Sequence, residues 1–124
     1  MKKEAQNLEL NIIGIKTKII GDIISSGDLR IDGKVEGNIS TISKVVIGDQ
    51  SEVKGNINAN NVSISGNVTG NITSKQILTI MGTAKIQGDI STGKIVIENG
   101  AQFNGTCSMG EPSINQQKAT QDND

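Results

Sequence analysis

Along most of the chain, apolar residues alternate with polar ones in short runs that glycine or asparagine separates. This period-2 alternation predicts β-strands whose successive side chains point to opposite faces. The runs recur in a constant order, and two phrases mark each recurrence. One is apolar-x-apolar, as in residues 29–31 (LRI), and the other is apolar-x-Gly-(Asn/Asp)-apolar, as in residues 35–39 (VEGNI). The chain is therefore expected to be built from one repeated strand unit.

Six copies of this unit follow one another. The longer phrase occurs at residues 19–23, 35–39, 53–57, 68–72, 86–90 and 103–107. The shorter phrase occurs as Leu10/Ile12, Leu29/Ile31, Val45/Ile47, Val62/Ile64, Leu78/Ile80 and Ile95/Ile97, in steps of 19, 16, 17, 16 and 17 residues. Such a unit is too short for a strand and a helical crossover, which take about 30 residues. Winding each unit into one coil lets equivalent strands pair in parallel, which predicts an all-β, single-domain parallel β-helix of about six coils.

Aligned columns support this fold. The apolar residues of the shorter phrase, from Leu10/Ile12 to Ile95/Ile97, are predicted to point inward. Two further columns of inward residues run from Ile19 to Phe103 and from Ile23 to Cys107. A third column is invariably glycine, which predicts a corner with positive φ or close backbone approach. Asparagine often follows this glycine, and it tolerates turn geometry and can hydrogen-bond between stacked coils. The predicted turn residues are Gly21, Gly37, Asn38, Gly55, Asn56, Gly70, Asn71, Gly88 and Gly105.

Outward charges also agree with stacked coils. The alignment places Lys34 beside Glu52 and Glu36 beside Lys54, which predicts two ion pairs between the second and third coils. Each exposed pair contributes only about 0.2–1 kcal/mol, so their main effect is to oppose a slipped register. The repeat occupies residues 10–109, and the polar residues 1–9 and 110–124 are expected to be disordered tails.

Composition excludes several functions. Lysine and arginine number 12 against 13 acidic residues, so the chain offers no basic surface for nucleic acid. Histidine is absent and Cys107 is the only cysteine, which removes the commonest general base, the commonest metal ligand and any intrachain disulfide. We therefore expect no cofactor and no enzymatic activity. No apolar run is long enough for a signal peptide or a membrane span, which predicts a cytoplasmic protein.

The two ends of the predicted β-helix expose unpaired strand edges. Natural proteins usually cover such edges with charge, proline or another element, and solenoids usually carry polar caps. Neither terminal coil carries a proline or a capping helix in the sequence. An uncapped solenoid is expected to stack end to end into a filament. The predicted contact residues are Leu10, Ile12, Ile13, Ile15, Ile19, Ile95, Ile97, Phe103 and Cys107.

Two of these residues allow more than one interpretation. Phe103, the only aromatic residue, stands in a column otherwise filled by isoleucine and valine, within the last coil. It either contacts the next subunit or closes the end of a tapering core, and the two roles are compatible. Cys107 is expected to act as a small buried hydrophobic residue, the alternative being a thiol that reacts across the junction.

The Gly-(Asn/Asp)-Ile coils between short polar tails resemble the bactofilins, bacterial polymer-forming cytoskeletal proteins. The resemblance covers residues 8–109. It implies a right-handed, three-sided β-helix and nucleotide-independent filaments that scaffold membrane-associated or wall-modifying machinery. It also implies that the chain binds itself, cell-wall enzymes or membrane-associated proteins at the inner face of the membrane. Residues 1–4 lack an aromatic residue, so direct membrane binding through Lys2 and Lys3 is expected to be weak at most.

Two other classes compete with this interpretation. Hexapeptide-repeat acyltransferases are also β-helices, but their coils hold close to 18 residues and their chemistry generally needs a histidine. A non-polymerising binding module would need a regular outward row of threonines or exposed aromatics, and the outward residues instead mix lysine, glutamate, serine, asparagine and threonine.

Overall fold

The computed structural model describes residues 10–109, and the tails predicted to be disordered lie outside this range. The described residues contain fifteen strands and no helix. The strands are β1 (Leu10–Ile13), β2 (Lys18–Ile20), β3 (Ile23–Ser25), β4 (Asp28–Ile31), β5 (Lys34–Glu36), β6 (Ile39–Thr41), β7 (Lys44–Ile47), β8 (Glu52–Lys54), β9 (Ile57–Ile64), β10 (Asn67–Thr69), β11 (Ile72–Ile80), β12 (Lys85–Gln87), β13 (Ile90–Ile97), β14 (Gln102–Asn104) and β15 (Cys107–Met109).

Each coil contributes one strand segment to each of three faces, and every pairing between coils is parallel. The first face contains β1, β4, β7 and the later halves of β9, β11 and β13. The second face contains β2, β5, β8, β10, β12 and β14. The third face contains β3, β6, the early parts of β9, β11 and β13, and β15. The predicted parallel β-helix of six coils is thereby confirmed.

The register of the first coil differs from the prediction. Asn11 pairs with Leu29 and Ile13 with Ile31, so the step from the first coil to the second is 18 residues and not 19. Leu10 and Ile12, predicted to point inward, instead point outward and are 58% and 59% exposed. A one-residue shift reverses every side chain of a strand. Because apolar residues occupy positions 12 and 13 alike, alternation alone could not distinguish the two registers.

The corners explain why coil length varies. The corner between the second and third faces always has two residues, glycine and its successor, as at 21–22 and 37–38. The corner between the first and second faces has four residues at 48–51 but only two at 65–66. Four-residue corners close with a backbone bond such as Ser51 N to Gly48 O at 3.0 Å. Insertions are therefore confined to corners, and the strand columns stay aligned.

The corner that follows the second face is held by a ladder of side-chain hydrogen bonds. The backbone N–H of Asn56 donates to Oδ1 of Asn38 at 3.0 Å, and Asn71 donates to Asn56 in the same way. The adjoining glycines, Gly21, Gly37, Gly55, Gly70, Gly88 and Gly105, have φ between +137° and +154°. The ladder stabilises each turn against the one before it, which keeps successive coils in register.

The core is a narrow stack of aliphatic side chains inside the second to fifth coils. Residues such as Ile31, Val35 and Ile57 are fully buried there. Inward residues of the first and last coils, such as Ile19 and Phe103, are only partly buried because they have a neighbouring coil on one side only. The closely packed core therefore does not extend into the first and last coils.

Both predicted register pairs between the second and third coils are confirmed, but one of the two predicted ion pairs is wrong. Lys34 lies 3.9 Å from Glu52, as expected. Glu36 instead pairs with Lys18 of the first coil at 3.3 Å, and among residues 10–109 no pair joins it to Lys54. Lys18 stands in the same column as Lys34, so leaning toward Glu36 on the diagonal separates two like charges. These exposed pairs each contribute no more than about 1 kcal/mol.

Candidate polymerisation interface

Both ends of the β-helix present unpaired strand edges. Strands β1, β2 and β3 each pair with one neighbour, and so do β14 and β15 at the other end. Within residues 10–109 no other segment covers these edges. Their free N–H and C=O groups can pair with another strand of the same kind. Each end therefore offers backbone N–H and C=O groups with which the strands of a second subunit can form hydrogen bonds.

The C-terminal end combines a free edge with a partly exposed core. Phe103 stacks on Ile86 and Cys107 on Ile90, each as the last member of its column. Both are half-buried, as is Ile95, while the neighbouring Ile97 is 51% exposed. The predicted contact residues of this end are thus brought together on one surface. A subunit stacked there would remove aromatic and aliphatic surface from water.

The N-terminal end divides the predicted contact residues into two groups. Ile13 and Ile19 point inward and are half-buried beneath Ile31 and Val35. Leu10, Ile12 and Ile15 lie in the same coil but project outward into solvent. The first group continues the core, and the second surrounds it.

An apolar collar around the first coil was not anticipated. Ile12, Ile20 and Ile24 point outward from the first, second and third faces, and Ile20 and Ile24 are 75% and 85% exposed. In the next coil the same columns hold Arg30, Glu36 and Ser40. The signal in the sequence was the doublets at 12–13, 19–20 and 23–24, in which an apolar residue replaces the polar partner of the alternation. The N-terminal end is therefore apolar both inside and around its rim.

Cys107 gives a measurable probe of the C-terminal end. Burial raises the pKa of its thiol above the ordinary value, because the thiolate is poorly solvated in the last coil. The folded protein thus keeps the proton over a pH range in which the unfolded chain has lost it. The contribution to stability is complete below the unfolded pKa and is lost as the pH rises through the folded pKa.

We expect iodoacetamide, which reacts with the thiolate, to modify Cys107 more slowly in the folded, unassembled protein than in urea at the same mildly alkaline pH. The midpoint of rate against pH should also be higher in the folded protein. Mass spectrometry of timed samples measures both quantities. Coincident midpoints would show that Cys107 is fully solvated in the last coil.

Other kinds of site find little support in the described residues. A depression of about 260 Å³ on the second face is open to solvent. It arises because the short side chains of Asn67 and Thr69 lie between the longer ones of Lys54 and Lys85. In the same range, no three acidic or cysteine side chains are grouped so that they could hold a metal ion. The described part of the chain also has no helix of the length and hydrophobicity that crossing a bilayer requires.

Comparisons with known proteins agree with this geometry. The family model described as "Bactofilin: Polymer-forming cytoskeletal" matches residues 11–108. Bactofilin BacN of Myxococcus xanthus is 59% identical over 101 residues, which cover 82% of this chain and 89% of that protein. The double helical filaments of Thermus thermophilus bactofilin superpose with a TM-score of 0.77 at 29% identity, over 81% of this chain and 99% of that one.

The structure of the cytoskeletal bactofilin BacA superposes with a TM-score of 0.73 at 31% identity, over 82% of this chain and 97% of that one. The family resemblance predicted from the repeat is thereby confirmed. With the family model matched across nearly the whole β-helix and a curated relative at 59% identity, this chain belongs to the bactofilins, the family of polymer-forming cytoskeletal proteins.

Proposed function

We propose that this chain assembles end to end, through its first and last coils, into filaments that need no nucleotide. The observation that carries the proposal is the state of the terminal coils. Their strand edges are unpaired within residues 10–109, and the inward side chains of Ile19 and Phe103 remain partly exposed. Stacking a second subunit would complete both the hydrogen-bond ladder and the burial of these residues.

The driving force for this contact is burial of apolar surface. Fully burying one large aliphatic or aromatic side chain is worth about 1.5–3 kcal/mol relative to exposure. Association costs about 4–15 kcal/mol in lost freedom of motion, so a stable junction needs several such residues at once. Each end supplies them, with Ile13 and Ile19 at one end and Ile95 and Phe103 at the other. Bound nucleotide supplies no part of this energy.

We further propose that the filament works in the cytoplasm as a scaffold for cell-envelope machinery. A polymer repeats the same lateral surface at every subunit, so it can gather many copies of a membrane-associated or wall-modifying protein. The filaments of the Thermus relative are described as double helical, and we extend the pairing of two strands to this chain. A fluorescent fusion should lie along the envelope and become diffuse when Phe103 is replaced by arginine. A diffuse wild-type fusion would contradict the scaffold role.

Assembly is tested on the purified, untagged chain in buffer without nucleotide or divalent metal. We expect negative-stain electron microscopy to reveal filaments a few subunit diameters wide, because the contacts invoked are apolar and backbone-mediated. Adding nucleotide should change neither their number nor their length. Discrete short rods at high protein concentration would refute end-to-end assembly, and filaments that appear only with nucleotide would refute its independence.

A further inference from the structure

The outward side chains divide among three chemically different faces. On the third face, each strand offers a single outward residue, and none of the six is ionisable. From the first coil to the last they are Ile24, Ser40, Asn58, Thr73, Ser91 and Ser108. The second face, in contrast, carries charged residues such as Lys34, Glu52 and Lys85. The third face is thus a flat strip of short, uncharged side chains.

Two very exposed isoleucines lie on this strip. Ile24 is 85% exposed in its first coil, and Ile42 is 70% exposed at its edge in the second coil. Ile24 is the register partner of Ser40, two residues before Ile42, so the two isoleucines lie in adjacent coils of the strip. Ile42 lies a full coil away from the end of the β-helix. Stacking of subunits end to end leaves it exposed.

We propose that the third face packs against the third face of a second copy of this chain and thereby joins two filament strands side by side. This inference rests on the end-to-end assembly proposed above and identifies the surface that pairs the strands. Stacked sheets pack about 10 Å apart, which short side chains such as Ser40, Thr73 and Ser91 permit. A strip without charge can meet its own copy without like-charge repulsion, which would accumulate along a filament.

The edges of the strip add charge complementarity. Asp22 and Asp89 line the corner shared with the second face, and Lys75 lies at the corner shared with the first face. A two-fold axis parallel to the coil axis places the acidic edge of one copy opposite the Lys75 edge of the other. These attractions are weak and screened by salt, so they orient the two strands more than they hold them together.

The size of the strip explains why pairing belongs to filaments and not to single subunits. It is roughly 10 Å wide and 25–30 Å long, or about 300 Å² of face per subunit. A stable interface between two proteins buries about 800 Å² on each partner. One subunit therefore contributes too little, whereas a strand of linked subunits engages many strips at once and gains by multivalency. Assembly-blocked subunits should remain single.

Three threonine-to-lysine variants, one on each face, test this surface. Thr73 is exposed in the middle of the third face, and Thr69 is exposed on the second face of the same coil. Thr79 points outward from the first face of the next coil. Thr73→Lys should give single, unpaired filament strands, with half the wild-type mass per unit length in electron microscopy. Thr69→Lys and Thr79→Lys should give paired strands like the wild type.

Ser91→Lys, in the next coil of the strip, repeats the test if Thr73→Lys fails to fold. Paired strands from the folded third-face variants would overturn the proposal, as would loss of pairing in Thr79→Lys alone. Single strands from the wild type would overturn pairing but leave end-to-end assembly intact. If none of these proteins forms filaments, end-to-end assembly fails and pairing fails with it.

Discussion

Replacing Phe103 by arginine should abolish filaments while the β-helix stays folded. In a single subunit the side chain is half-buried at the open end of the core, so a guanidinium placed there can still reach water. In a junction it would be desolvated without a partner, which costs several kcal/mol. At about 1.4 kcal/mol per tenfold change, a penalty of about 4 kcal/mol weakens the contact roughly a thousandfold.

The matched control is Asn104→Arg, which adds the same charge to the adjacent, exposed position of β14. It should assemble like the wild type, and Phe103→Leu should assemble more weakly. Pelleting by ultracentrifugation measures the fraction assembled, and circular dichroism checks the fold. Filaments from a folded Phe103→Arg variant would exclude Phe103 from the junction. Loss of assembly in Asn104→Arg as well would point to net charge and not to the apolar contact.

Gly55→Ala should destabilise the subunit far more than Gly21→Ala. Gly55 has φ +152°, and an added Cβ would overlap the carbonyl oxygen of Gly37 in the coil before it. Gly21 has a similar φ of +137°, but nothing lies within 4 Å of the place its Cβ would occupy. Backbone strain costs about 1–3 kcal/mol at either site, and the overlap adds about 1–3 kcal/mol at Gly55 alone.

The comparison is best made in the Phe103→Arg background, so that assembly does not contribute to the free energy of unfolding. Urea denaturation should give a lower midpoint for both variants, with the larger shift for Gly55→Ala. Equal shifts would mean that backbone conformation alone explains the glycine column. Since small domains have about 5–15 kcal/mol of stability in total, Gly55→Ala alone could remove a large part of it.

Much of the fold was predictable because each position of the repeat occurs in six aligned copies. The columns that contain Val35 and Ile39 recur six times, so an error in one coil is corrected by the others. The first coil has a neighbour on one side only, and its doublets of apolar residues allow two registers. That is where the prediction for Leu10 and Ile12 was wrong. The repeat pattern also did not predict which surface charges form ion pairs, as the pairing of Glu36 with Lys18 illustrates.

Which outward residues share a face was also not predictable from their order along the chain. Read along the chain, lysine, glutamate, serine, asparagine and threonine look mixed at outward positions. Wound into coils, they separate into a charged second face and an uncharged third face, because residues about 15–18 positions apart become neighbours. The strip that contains Asn58, Thr73 and Ser91 exists only in three dimensions.

By itself, the sequence determined the repeat, the strand periodicity, the glycine corners and the family, since all of these depend on local alternation and on spacing that recurs. Only the tertiary structure decided which of two adjacent isoleucines enters the core in the first coil, which surfaces the ends leave half-exposed, and which outward residues share a face. Those outcomes depend on hydrogen bonds and packing between coils, where a shift of one residue exchanges the inside of the molecule for its outside.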